Sequence, residues 1–126
     1  MKWLVIRQAQ MEALAQPMFE RFVRTAVDHV RQHFGAVADA LGESELDRGV
    51  RHVLGRAARH GVDSERDLLR YVRLAFVFGR DFDVDPALPW AGRILAGAEP
   101  ASRRVARLVT VGLREESSAR GYAAGA

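Results

Sequence analysis

The stretch VDSERDLLRYVRLAFVFG, residues 62–79, decides the fold that this sequence predicts. Ser64 precedes a helical pattern and Asp67 follows three residues later, an arrangement that caps the first turn of a helix. After Arg73 nearly every side chain is apolar, as expected of a helix with neighbours on all sides. Gly79 is a natural end for such a helix.

The stretch therefore favours a central apolar helix over about residues 65–79. A buried strand at 74–78 is the alternative, because a short apolar run fits either structure. The helix is preferred because the capped helical pattern runs into 74–78 without a break.

Apolar residues recur at helical spacing on both sides of this central segment. The sequence predicts an all-α fold, with one compact domain of five to six helices over residues 1–116 and a flexible tail over 117–126. The further helices are residues 7–15, residues 17–34 after a break near Pro17 and before a stop at Gly35, a segment capped by Ser44 and ended by Gly61, a short helix opened by Pro89, and a last one opened by Pro100.

Composition limits the class of protein. The chain has 126 residues, 48% hydrophobic and 28% charged, enough for one globular domain with a core. The absence of cysteine excludes disulfides, cysteine nucleophiles and thiolate metal sites. The first residues lack the apolar stretch of a signal peptide, and no apolar run approaches the ~20 residues that span a bilayer. We expect a cytoplasmic protein with no membrane partner.

The positive charge comes almost entirely from arginine. The formal net charge is +3, and Lys2 is the only lysine. The arginines alternate with acids along the chain, whereas nucleic-acid binders concentrate basic residues on one face. A small DNA-binding regulator would have to use residues 45–60 as its recognition helix, through Arg48, Arg51, Arg56 and Arg59. A nucleic-acid partner is therefore not favoured.

The segment GRDFDVDPALPW, residues 79–90, resembles the start of a calcium loop because three aspartates alternate in it. The sixth position of such a loop requires glycine and is Pro86 here. The twelfth position requires a bidentate glutamate and is Gly92 here. The favoured interpretation is a turn between two helices that binds no metal.

In this turn Phe82 and Val84 are expected to point inward while the carboxylates face water. Asp81 and Asp83 are expected to accept hydrogen bonds from nearby backbone N–H groups. A tryptophan beside acids and prolines is typical of an interface anchor, although it serves equally well in a core. The predicted partner-binding residues are Asp81, Phe82, Asp83, Asp85, Pro89 and Trp90.

Other candidate sites are weaker. His29 and His33 share a helix face and would bind zinc only with a third ligand such as His52 or His60, so solvent-facing histidines are preferred. The arginines at 70, 73 and 80 would clamp an anion, but a solvated stripe explains them better. We expect no metal, no cofactor and no catalytic residue.

Three segments carry a resemblance to a known group of proteins. They are IRQAQMEAL, FVRTAVDHVRQHF and GVDSERDLLRYVRLAFVFGRDFDVDPALPWAGRIL. Together, over residues 6–96, they resemble the small helical accessory proteins encoded in bacterial type VI secretion loci beside spike, PAAR-type tip and toxin genes. The pattern is an apolar helix that leads into Gly79, Asp81, Phe82 and Asp83 and then into Pro89, Trp90 and Ala91.

The resemblance implies an accessory role near a toxin and its delivery spike, and it supplies no catalytic residue. The leading hypothesis is a non-enzymatic adaptor or chaperone-like module that binds an effector, toxin or spike-tip protein. An immunity protein that blocks a cognate toxin is the first alternative, and the DNA-binding regulator is the second. Self-association into a homo-oligomer is also compatible with the sequence.

Overall fold

The computed structural model describes the backbone of residues 16–125 and the side chains of residues 17–117. The described chain is all-helical and forms one compact domain, which confirms the predicted fold class. Its elements are α1 (Gln16–His33), α2 (Gly35–Leu41), α3 (Glu43–Arg59), α4 (Glu65–Phe78), a 3₁₀ turn (Phe82–Val84), α5 (Pro89–Leu95) and α6 (Ala101–Gly125). The predicted helix at 7–15 lies outside the described residues.

Helix α4 is the central helix, as predicted, and it packs against α1, α3, α6 and the 3₁₀ turn. The Ser64 hydroxyl accepts a hydrogen bond from the Asp67 N–H at 3.2 Å and so caps the first turn. At the other end Gly79 adopts a φ of +116°, a conformation that favours glycine, and its N–H donates to the Ala75 carbonyl. The strand alternative at 74–78 is wrong because these residues complete the helix.

The core forms where three amphipathic helices meet α4. Removing an aliphatic or aromatic side chain from water stabilises the fold by roughly 1.5–3 kcal/mol, so these residues supply most of the driving force. The fully buried members include Val23, Val30, Leu46, Val50, Val53, Leu54, Leu68, Tyr71, Val72, Val105 and Leu108.

Arg104 joins three elements at one end of the domain. Its guanidinium donates to the carbonyl oxygens of Leu95 at 3.0 Å, Glu99 at 2.8 Å and His60 at 2.9 Å. The carbonyls of Leu95 and His60 lie at the ends of α5 and α3, where helices leave acceptors without intrahelical donors, and that of Glu99 lies in the segment that leads into α6. Arg104 therefore fixes the start of α6 against both helices.

Two predicted helix boundaries were wrong. Helix α3 begins at Glu43 after Gly42, whose φ is +81°, and Ser44 lies in the first turn, where it accepts a hydrogen bond from Arg48. Gly35 does not end a helix but begins α2, because the break falls one residue earlier, at Phe34.

Helix α6 continues to Gly125, so the backbone shows no separate segment at 117–126. Neither the side chains beyond Ser117 nor Ala126 is described, and the flexibility of this segment stays a prediction. No helix in the described part of the chain is long and apolar enough to cross a membrane.

Candidate functional site

The loop over residues 79–90, here called the aspartate loop, is held to α3 by a buried ion pair. The side chain of Asp83 is 1% exposed. The Arg56 guanidinium donates to both of its carboxylate oxygens at 2.8–3.0 Å, and His60 Nε2 lies 2.8 Å from Oδ2. Such a charge-assisted, two-pronged contact is among the stronger hydrogen bonds in proteins.

These contacts keep Asp83 ionised. Burial raises the pKa of the Asp83 carboxyl, but the hydrogen bonds from His60 and Arg56 outweigh it and hold the pKa below its usual value of 3.8. The hydrogen bond to Asp83 likewise raises the pKa of Arg56. Since its oxygens are occupied by side chains of the same domain, Asp83 ties the loop to the fold.

The other two aspartates have different partners. His52 Nε2 lies 2.7 Å from Asp81 Oδ1, and the Arg56 guanidinium is 3.6 Å away from the same oxygen. Asp85 accepts a hydrogen bond from the Ala87 N–H at 2.9 Å. The predicted backbone contacts of Asp81 and Asp83 were therefore wrong, because both carboxylates pair with side chains of α3.

The structure corrects two of the predicted partner-binding residues. Phe82 is fully buried, with its ring 4.9 Å from that of Tyr71, and Asp83 is buried beside it. Neither side chain is accessible to a partner. The inward orientation of Phe82 is confirmed, but Val84 is 63% exposed because the 3₁₀ turn replaces the alternating pattern that would have buried it.

The remaining predicted partner-binding residues stay a prediction. Asp81 and Pro89 are exposed, and Asp85 is half-buried. Trp90 is half-buried and packs edge-on against Phe78, with 5.2 Å between ring centroids. Its apolar face is thus already used by its own domain.

Tyr71 lies beneath the loop with its hydroxyl buried, and that hydroxyl has no hydrogen-bond partner in the described part of the chain. Burial is the main reason that the pKa of Tyr71 is raised, and the negative charge of Asp83 adds to it. The phenol therefore stays neutral beside the ion pair.

No group of three or more metal-binding side chains occurs among the described residues. His29 and His33 lie with ring centroids 4.4 Å apart, but only His33 faces solvent. His29 is half-buried, and its pKa is lowered by burial and by the nearby His33 and Arg73. The prediction that both histidines face solvent was wrong for His29.

The candidate recognition helix for DNA has little free charge. Arg51 pairs with Glu20 and Asp47, and these hydrogen bonds raise its pKa. Arg48 pairs with Glu45 at 3.2 Å, and Arg56 is occupied in the aspartate loop. Of the four arginines, Arg59 alone lacks a carboxylate partner among the described side chains.

A groove between α4 and α6, here called the α4–α6 groove, is open to solvent and has partly apolar walls. Its volume is about 310 Å³. Val77 and Leu113 in its walls are 40% and 60% exposed. The lining residues are Phe34, Arg70, Arg73, Leu74, Val77, Phe78, Val109, Gly112, Leu113 and Glu116.

Gly112 allows the two helices to approach at the base of this groove. A Cβ atom there would lie 3.0 Å from Leu74 Cδ2 and 3.2 Å from Phe78 Cε2, closer than ordinary contact. Helix α6 therefore rests directly on these side chains, while Val77 and Leu113 stay open to solvent.

The sequence interpretation missed both the loop's partners and the groove. The partners follow a signal that was present: His52, Arg56 and His60 are spaced four residues apart and share one face of α3. The groove has no such signal, because its walls come from two helices far apart in the sequence, α4 and α6, and from Phe34 between α1 and α2. Two of the three arginines expected to form a solvated stripe, Arg70 and Arg73, line the groove, whereas Arg80 does not.

No protein-family model, curated protein or solved structure matches this chain.

Proposed function

We propose that this chain is a non-enzymatic protein-binding module, an adaptor or chaperone-like accessory protein for a type VI secretion effector or spike-tip protein. The observation that carries the proposal is the α4–α6 groove, whose apolar walls are open to solvent. Contiguous exposed apolar surface with a polar rim is typical of interaction sites.

A protein partner explains this groove better than a small ligand does. Small-molecule pockets bury most of the ligand's surface in a concave site. Here Leu113, which lines the groove, is 60% exposed, and Val77 on the opposite wall is 40% exposed. An occupant that removes both from water has to extend beyond the cavity, as a protein segment does.

The polar residues of the aspartate loop support a non-enzymatic role. The most buried carboxylate, Asp83, is held between Arg56 and His60, so it is not free to take a proton from a substrate. The secretion context is supported by the sequence resemblance alone, in which an apolar helix leads into this loop. The loop then serves to position α5 and the end of α4.

The test is co-purification of the tagged chain with the effector, toxin and spike-tip proteins encoded next to it. Leu113→Asp is expected to abolish capture, because it places a charge in the apolar wall. The matched control is Val84→Asp, since Val84 is also exposed, at 63%, but lies outside the groove. Thermal melts establish that both variants are folded.

Each outcome decides the proposal. If the wild-type chain captures none of these proteins, the adaptor role is wrong. If Leu113→Asp captures the partner as well as Val84→Asp and the wild-type chain do, the interface lies elsewhere on the surface. If the chain inhibits a toxin while its delivery is unaffected, the alternative of an immunity protein replaces the adaptor.

A further inference from the structure

We infer that the α4–α6 groove accepts an amphipathic helix of the partner, with apolar residues in the groove and carboxylates facing Arg70 and Arg73. The inference rests on the proposed function and names the chemistry of the partner. It is carried by the length of the groove walls and by the charge at one rim.

The length of the walls matches a helix of the partner. Along α4 the lining residues extend from Arg70 to Val77 or Phe78, and along α6 from Val109 to Glu116. Seven residues of α-helix rise about 10 Å, which is two turns. Helix-in-groove recognition uses apolar anchors at i, i+3 or i+4, and i+7, and these anchors span the same distance.

The charge on the α4 rim is positive. Arg73 is exposed and has no carboxylate partner among the described side chains. Arg70 is 40% exposed and reaches Asp67 only at 3.7 Å, which is longer than a hydrogen bond. Within residues 17–117 neither guanidinium group has a carboxylate at hydrogen-bond distance, so both can donate to carboxylates that approach along the rim.

Two further titratable groups, His29 and Glu116, lie near this rim or on the opposite wall. Arg73 lies close enough to His29, near the end of α1, to help lower the pKa of that imidazole, after burial and His33. Glu116 lines the opposite wall, on α6. The rim on the α4 side thus favours Asp or Glu in the partner, while rim charges of this kind set selectivity and association rate more than affinity.

The probe is a fluorescein-labelled helical peptide of about 14 residues, about 21 Å long as a helix. It carries leucines at i, i+4 and i+7 and glutamates at the flanking positions. A second peptide has lysines in place of the glutamates. Fluorescence anisotropy with the full chain is expected to show at least about tenfold tighter binding of the glutamate peptide, with a preference that shrinks as salt rises.

Variants of the chain assign the effect to the groove. Arg73→Glu is expected to remove the preference, whereas Arg80→Glu leaves it unchanged because Arg80 is exposed outside the groove. Leu113→Asp is expected to weaken both peptides at least about tenfold, and Val84→Asp neither. Circular dichroism melts verify that all four variants are folded.

Several results would overturn the inference. Equal affinity for the two peptides removes the carboxylate preference, and no binding of either removes the helix as occupant; co-purification then judges the proposed function separately. A dimer in sedimentation that is lost in Leu113→Asp and kept in Val84→Asp makes a second copy the occupant. Saturable binding of a medium-chain fatty acid that displaces the peptide makes the groove a small-molecule site.

Discussion

The aspartate loop and the α4–α6 groove lie on either side of the end of α4 and are built in opposite ways. In the loop the central carboxylate, Asp83, turns inward and is almost completely removed from water, while Asp81 stays exposed. In the groove two apolar side chains, Val77 and Leu113, are open to solvent, and Leu113 is mostly exposed. The loop satisfies its own polar groups, whereas the groove leaves apolar surface uncovered.

This difference shows that a conspicuous sequence motif need not form a surface that a partner can reach. Three alternating aspartates resemble a binding motif, yet the side chains of two of them, Asp81 and Asp83, pair with side chains of α3. The residues that line the groove form no recognisable motif, and they indicate a binding surface only because some of their apolar side chains are exposed. A residue is available to a partner only when its own fold has not already used its polar or apolar atoms.

The largest expected effect comes from breaking the loop's ion pair. Asp83→Asn is expected to lower the free energy of unfolding by about 3–5 kcal/mol, because it removes the buried carboxylate that pairs with Arg56 and His60 and leaves Arg56 only the more distant Asp81. Urea denaturation at pH 7 measures the change. Asp85→Asn is the control, with an expected cost under about 1 kcal/mol, and equal costs would contradict the assignment of the buried pair.

The pH dependence of that difference has a definite sign. Because the pKa of Asp83 is held below its usual value of 3.8, ionised Asp83 stabilises the fold above that value. The contribution is lost as pH falls from there through the pKa of the folded state. The stability gap between wild type and Asp83→Asn is expected to shrink as pH falls below about 4.

Two aromatic residues, Phe82 under the loop and Phe76 near the end of α4, are also expected to differ in how much they stabilise the fold. Phe82→Ala is expected to cost about 3–5 kcal/mol, because the ring is fully buried under the loop. A helix α4 covered on all sides, as the sequence favours, would give Phe76→Ala the same cost. Since Phe76 is only half-buried, we now expect about 1–3 kcal/mol. Equal costs in chemical denaturation would mean that Phe76 is as well covered as the Phe82 ring under the loop.

Removing apolar atoms from the groove should cost the fold little. Leu113→Ala is expected to change the free energy of unfolding by no more than about 0.5 kcal/mol, since the side chain is mostly in water. Leu108→Ala, in the same helix but fully buried, is expected to cost about 2–5 kcal/mol. A large cost at Leu113 would show that the groove stabilises the domain and is not a surface kept for a partner.

The smallest effect is expected when calcium is added to the loop. Asp83 is occupied by Arg56 and His60, so calorimetric titration with calcium is expected to give no saturable heat. An EDTA-treated sample is the control. A dissociation constant below about 1 mM would show that the ion displaces the arginine, and the loop would then be a cation site.

Much of the fold could be predicted because its signals are local. The cap formed by Ser64 and Asp67, the stop at Gly79 and the start at Pro89 each depend on residues within one turn. Predictions failed where two neighbouring residues could each begin a helix. Ser44 was expected to cap α3, but the helix begins after Gly42 instead. They failed again at Val84, where a 3₁₀ turn replaced an extended strand-like pattern.

The sequence by itself determined an all-α domain around α4, because helix caps and apolar periodicity act over a few residues. Only the tertiary structure decided that Asp83 is buried, because its partner Arg56 is 27 residues away in the chain. It also decided that Val77 and Leu113 face each other across an open groove, since exposure depends on how α4 and α6 pack. The candidate site therefore follows from packing, which no local pattern encodes.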